Sequence, residues 1–288
     1  MGIFSGSLAA QPAKVQREVA GEMESLGYGT LWYGEAMARE AFAQGAIYLS
    51  ATTNLVIASG IANIWARDPM AMAAGGRALA EAWPNRFILG LGVSHAPIVT
   101  SRGHDYSRPV AAMRDYLEHM GQAAWRGPES LLPPLVLAAL GPKMVELAAQ
   151  RTAGAYPYFT TARHIRQVRQ QLGAEPFLAA DLPVVLATAR AEARKIGDPH
   201  TTQYLRTENY RNNLVRLGWK PEDLEPPGSD PLFDAVMAWG DVATVHERVT
   251  ELFTAGADQV VLNLITRDRS VPYLPELRTL ASLNTTLG

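Results

Sequence analysis

Apolar residues in this chain fall into short unbroken runs, separated by longer stretches in which they recur at helical spacing. The runs are Gly2 to Phe4, Thr30 to Tyr33, Leu55 to Ile61, Phe87 to Leu91, Leu135 to Leu140, Ala155 to Phe159, Phe177 to Leu186 and Gln259 to Leu264. A short run bounded by turn residues is the pattern of a strand covered on both faces in a parallel sheet. Between them, Val15, Val19, Met23 and Leu26 share one face after Pro12, with Gly27 at the exit, and Met113, Leu117 and Met120 do the same within Pro109 to Trp125. Further helices are predicted over Met37 to Leu49, Pro69 to about Trp83, Pro142 to Gln150, a segment carrying Val168 and Leu172, Asp241 to Ala255, and Leu274 to Leu283. Pro183 predicts that regular pairing of the seventh run is interrupted or ends there. Eight strands alternating with helices argue for an α/β protein built as a (β/α)8 TIM barrel rather than an open doubly wound sheet. Residues 187 to 241 form a polar and aromatic helical insertion before the last strand, within one domain spanning 1 to 288.

Composition narrows the chemistry. With 288 residues, 48% of them hydrophobic, the chain can bury one large core. Net charge is -2, so no general positive field would hold a nucleic acid. There is no cysteine, which removes disulfides, thiolate nucleophiles and cysteine-held metals. No segment approaches membrane-spanning length and no secretory leader pattern opens the chain, so a cytoplasmic protein with no membrane partner is expected.

The candidate chemistry lies at strand ends. In RFILGLGVSHAP, Gly90 and Gly92 leave backbone uncovered where a flat or phosphorylated ligand could lie, and Val93, Ser94 and His95 follow at the carboxyl end of the strand. His95 can exchange a proton near neutrality. Glu35, at the end of the second strand, is a second proton-handling candidate. Ser59, Gly60 and Ile61 end the third strand, where an isolated glycine marks a bulge. Ala139, Leu140, Gly141 and Pro142 join a strand to a helix start, whose amides and dipole suit a phosphate. Arg67 and Asp68 read as an ion pair fixing their loop. Arg163, Arg166 and Arg169 read as a solvated stripe on one helix. Tyr210 is a candidate wall of the substrate pocket, with Tyr204 and Trp219 as packing aromatics.

The order and spacing of GYGTLWYGE, NLVIASGIANIWARDP, RFILGLGVSHAP, LVLAALGPKMVELAAQRTAGAYPY and GADQVVLNLI resemble the bacterial luciferase-like flavin and deazaflavin oxidoreductases, specifically the coenzyme F420-dependent branch, along essentially the whole chain. That resemblance implies a barrel with an insertion before its last strand. It also implies a non-proline cis peptide between Gly60 and Ile61 under the cofactor's middle ring, and a phosphate cradle that adds Gly154, Ala155, Thr160 and Thr161 to Ala139–Pro142. The resemblance gives Arg163 and His164 a second reading, as a hold on the anionic tail of F420, and the implied activity is hydride transfer between F420 and a small or medium organic substrate, in a homodimer. Two alternatives stand beside it: an FMN-dependent two-component monooxygenase, and a cofactor-binding protein without turnover. Luciferase-like proteins commonly carry a glutamate-histidine pair where this chain has Glu35 followed by Ala36, which counts against luciferase-type oxygen chemistry.

Overall fold

The computed structural model describes residues 1–268 and 273–286. Its strands are β1 (Gly2–Phe4), β2 (Thr30–Tyr33), β3 (Val56–Ser59), β4 (Ala62–Asn63), β5 (Phe87–Gly92), β6 (Leu135–Leu137), β7 (Gly154–Ala155), β8 (Phe177–Val185), β9 (Ala238–Trp239) and β10 (Gln259–Leu264). All pairings are parallel, and β10 pairs with both β1 and β8, so the sheet closes on itself. Strands β3 and β4 are two halves of one barrel strand, while β9 only extends the rim beside β8. The result is the closed eight-stranded parallel barrel that the alternating pattern predicts.

Side-chain alternation divides the packing. Ile3, Leu31, Ile57, Leu89, Leu137 and Leu262 face outward into the large apolar layer under the helices. Trp32, Ala58, Val136, Ala179 and Val261 form a separate cluster with no helical member, which fills the barrel. Helix starts follow local rules: Asp68, Thr161 and Asp241 each accept from a backbone amide three residues on, and prolines open the Pro69, Pro109 and Pro142 helices.

Several expected boundaries shift, each for a visible reason. The second helix begins at Ala41 because Glu40 caps it, so Met37 lies on a loop and is 92% exposed. The Pro109 helix ends at Gly121. Strand β6 stops at Leu137, and the apolar residues up to Leu140 leave the sheet to line a cavity. Likewise β7 ends at Ala155, and Tyr156 to Phe159 are cavity and insertion contacts rather than strand.

Pro183 does not end β8, which runs on to Val185 with Pro183 in register with Asn263. The Val184 carbonyl accepts from Ile265, on the β10 side, so the alternation directs position 183 to the opposite side. There β7 has already ended and β9 has not begun, so the absent N–H breaks no ladder bond.

The insertion carries helices Arg190–Leu205, Glu208–Arg216 and Asp230–Val236 with a short 3-10 turn at Pro221–Leu224. Leu205, Leu214, Leu217, Leu224, Leu232 and Val236 give it an apolar cluster of its own, seated on Phe159. It covers the carboxyl-terminal mouth of the barrel.

Candidate active site

A cavity of about 500 Å3 opens at that mouth, between the ends of β3, β5 and β6 and the insertion. One end is bare or neutral: Gly60, Ile61, Gly92, Val93, Ser94 and His95 line it together with Tyr156 and Tyr158. The other end is cationic, with Ala139, Leu140, Gly141 and Pro142 joined by Lys143 and Arg216.

The floor is made by the break between β3 and β4. The Gly60–Ile61 peptide is cis, as the resemblance implies. A Cβ on Gly60 would sit 3.0 Å from the Tyr156 ring and 3.2 Å from Trp32, so a side chain there would crowd those two tilted aromatics. The glycines of β5 make room for this break, and Gly92 also lines the cavity. A Cβ on Gly90 would run into the Ser59 carbonyl oxygen, and one on Gly92 would lie 2.5 Å from Ile61. Ser59 itself is fully buried, its hydroxyl donating to the Gly90 carbonyl at 2.9 Å, so it supports the floor without lining the cavity.

After β5 the chain turns at Ser94, a non-glycine residue with φ of 58°. The Val93 carbonyl accepts from the Trp65 indole at 3.0 Å and the Ser94 carbonyl from the Tyr106 hydroxyl at 3.0 Å, which fixes the turn. His95 follows, packed against the Tyr210 ring with centroids 5.6 Å apart and hydrogen-bonded to Asn209. Its Nδ1 is buried and has no hydrogen-bond partner among the described residues. Burial lowers its pKa below the ordinary imidazole value, with the Asn209 contact opposing, so the ring is neutral at pH 7.

Glu35 is not brought into the cavity. Its carboxylate pairs with the Arg67 guanidinium and accepts from the Ala41 amide at 3.0 Å and the Asn63 amide at 2.8 Å, while its own amide donates to the Ile61 carbonyl at 3.1 Å. Arg67 therefore pairs with Glu35 and Glu40, not with Asp68, which caps the following helix. Glu35 braces the break in the third strand from behind.

The second half of the expected phosphate cradle is also not assembled. Gly154 and Ala155 are buried in β7, where a Cβ on Gly154 would run into the Phe177 carbonyl. Thr160 is buried and Thr161 caps the Ala162–Leu172 helix. His164 is no surface hold on an anion: it is buried, its pKa is pushed down to about 4 mainly by burial, and its Nε2 meets the Leu140 carbonyl at 3.1 Å. It buttresses the Leu140–Gly141 turn. Of the arginine stripe, Arg169 is bound to Asp258 and to backbone carbonyls, whereas Arg163 and Arg166 are exposed.

Sequence reasoning missed the polar layer beneath the aromatic wall. Tyr158 receives the Asn263 side-chain amide at 2.6 Å and the Tyr204 hydroxyl at 3.1 Å. Asp181, 1% exposed, takes the Tyr156 hydroxyl at 3.5 Å. A lone acid in the apolar strand FLAADLPVV is a signal that could have found it. Burial raises the Asp181 pKa well above the usual carboxylate range, against contacts from the Phe159 amide, Asn263 and Tyr156. A carboxyl held neutral in the fold contributes stability that is complete below its unfolded pKa and is lost as pH rises toward the folded one. Asp181→Asn is therefore expected to raise the melting temperature at pH 8 more than at pH 4. Melting curves at both values check this, and an equal shift at both would contradict it.

Comparison with known proteins places this geometry. The profile of the luciferase-like monooxygenase family matches residues 2–259. A curated relative from Mycobacterium tuberculosis, provisionally named a coenzyme F420-dependent oxidoreductase, is 28% identical, over 91% of this chain and 94% of its own length. An F420-dependent secondary alcohol dehydrogenase in complex with an F420-acetone adduct has a similar fold, with a TM-score of 0.75 at 14% identity over 98% of this chain and 97% of that one. The oxygenating constituent of 3,6-diketocamphane monooxygenase from Pseudomonas putida, in complex with FMN, is similar with a TM-score of 0.73 at 14% identity, over 99% and 96%. Among the described residues no helix is long and apolar enough to cross a membrane. The barrel closure, the insertion over its mouth and the match along nearly the whole chain lead to one assignment: the chain belongs to the luciferase-like monooxygenase family.

Proposed function

We propose that this protein is an oxidoreductase that moves a hydride between coenzyme F420 and a small or medium-sized organic substrate. The observation that carries this reading is the polarity of the cavity, neutral and flat over Gly60 and cationic at Gly141, Lys143 and Arg216. A planar ring with a phosphate on its side chain matches both ends. The fit extends to two details: a Cβ on Gly141 would lie 3.3 Å from the Arg216 guanidinium, so a side chain there would press on that cation, and His95 Nδ1 is an unpartnered polar atom beside the floor. The relative from Mycobacterium tuberculosis favours F420 over FMN.

When bound, the deazaflavin supplies hydride donation or acceptance at a ring carbon. The chain's own residues do the rest. Gly60 and Ile61 present a bare floor, and Trp65 and Tyr106 fix the turn that carries His95. His95, neutral at pH 7, accepts a proton from a substrate hydroxyl as it is oxidised, and returns it in the reverse direction. Lys143 and Arg216 neutralise the phosphate, and Tyr204 and Tyr210 close the pocket against water. The cytoplasmic setting and the homodimer belong to the same reading.

Titration of the purified protein with F420 and with FMN is the direct test. Tight binding of F420 with hydride exchange to an added carbonyl or alcohol is the expected result; binding of FMN alone would favour the monooxygenase, and binding without exchange to any acceptor would leave a carrier. Gly141→Val is expected to weaken cofactor binding about tenfold by crowding Arg216 and the helix start, with the melting temperature little changed. Unchanged affinity in the folded variant would put the phosphate elsewhere.

A further inference from the structure

A second crevice, of about 380 Å3, lies beside the cationic end of the cavity. Its walls are the start of the Ala162–Leu172 helix, the turn at Leu217 to Trp219, and the helix that carries Arg248 and Glu251. Three arginines line it. Arg248 is occupied by Glu251 and by the Ala235 carbonyl. Arg163 and Arg166 have no carboxylate partner among the described residues, so two guanidinium forks face the crevice with their charge uncompensated.

One turn of chain, from Arg216 to Trp219, separates the crevice from the phosphate cradle. The Arg216 guanidinium lies against Gly141 and is steadied by Asn213 Oδ1 at 3.0 Å. Two residues on, Gly218 has φ of 90°, a conformation that favours glycine, and the Arg163 guanidinium lies 3.7 Å from where its Cβ would be. Cations therefore run from Lys143 and Arg216 at the cavity to Arg163 and Arg166 beyond it. A ligand that ended at its phosphate would use only the first pair.

We propose that the Arg163–Arg166 crevice binds the carboxylate groups that follow the phosphate in F420, and so helps the protein choose F420 over FMN, whose side chain ends at the phosphate. This rests on the F420 reading above. Guanidinium forks match carboxylates in geometry as well as charge, and two exposed pairs acting together give a modest, salt-sensitive gain.

The test compares the native protein with the Arg163→Ala, Arg166→Ala double variant in binding titrations at low and high salt. The probes are F420 with its glutamate tail, the same deazaflavin ending before the glutamates, and FMN. The tailed F420 is expected to bind the variant about 5- to 30-fold more weakly at low salt, with the difference shrinking at high salt, while the tail-less deazaflavin and FMN bind both proteins alike. The glutamine double variant, which keeps a polar side chain but removes the charge, should reproduce the loss. Equal affinity of the tailed F420 for both proteins would overturn the inference alone, as would an equal loss for all three probes. Failure of the native protein to bind either deazaflavin would overturn the F420 reading and the inference with it.

Discussion

Replacing His95 by alanine is expected to lower turnover by about 10²- to 10⁴-fold while the cofactor binds nearly as before, the range usual for loss of a general acid or base. His95 reaches the cavity from a turn held by Trp65 and Tyr106, and its imidazole touches Asn209 and Tyr210 of the insertion rather than the barrel core. It precedes a short helix but makes no side-chain cap bond, so alanine removes no helix support. The pH profile carries a second expectation. Burial lowers the His95 pKa, so the base is already free at neutral pH, and alcohol oxidation should be flat there and fall only at pH below the ordinary imidazole value. Single-turnover rates across pH, a cofactor titration and a melting curve separate the roles: parallel loss of binding and rate would make His95 a cofactor contact, and an early loss of melting temperature would make it structural.

The largest effect on stability is expected at Glu35. Its carboxylate and the Arg67 guanidinium are nearly sealed from solvent, with side-chain exposures of 4% and 9%. Removing one member of a buried pair leaves the other charge desolvated, which costs about 3–5 kcal/mol. Glu35→Ala also orphans the Ala41 and Asn63 amides, whereas Glu40, half exposed, compensates Arg67 only in part. Urea unfolding should place the loss in that range, and Glu35→Ala combined with Arg67→Ala should be less destabilised than Glu35→Ala alone. Because the Glu35 carboxylate holds the Asn63 amide just beyond the floor, the floor under the cofactor should loosen as well even though the main-chain bond from residue 35 to Ile61 is kept, so binding weakens in the variant that folds. A variant as stable as the native protein would show the pair to be dispensable.

The backbone of this site was legible in the chain, and much of its side-chain chemistry was not. Strand ends announce themselves by glycine and by the stop of an apolar run, which is why Gly60, Gly92 to His95 and Ala139 to Pro142 fall on the cavity. The same signal misled where apolar residues serve a pocket instead of a sheet: Tyr156 to Phe159 continue the run of β7 in sequence but line the mouth or anchor the insertion. Asn209 and Arg216 sit on polar, surface-like stretches and gain meaning only when the insertion folds back over β5 and β6. Glu35 follows the strand next to the floor, yet its side chain turns away to a partner 32 residues on, a choice that periodicity does not encode. Arg67 has an acid next to it and bonds elsewhere, because Asp68 is needed at a helix start.

Pro183 has a consequence for the edge on which it lies. Between the end of β7 and the start of β9, one side of β8 offers hydrogen-bonding groups that no neighbouring strand takes. An apolar extended segment with a free edge is a template on which a second copy could add a strand. The missing donor at Pro183 and the inward acid at Asp181 both spoil that template. The proline thus removes a donor from the unpaired stretch of edge, at a point where the finished barrel loses nothing by it.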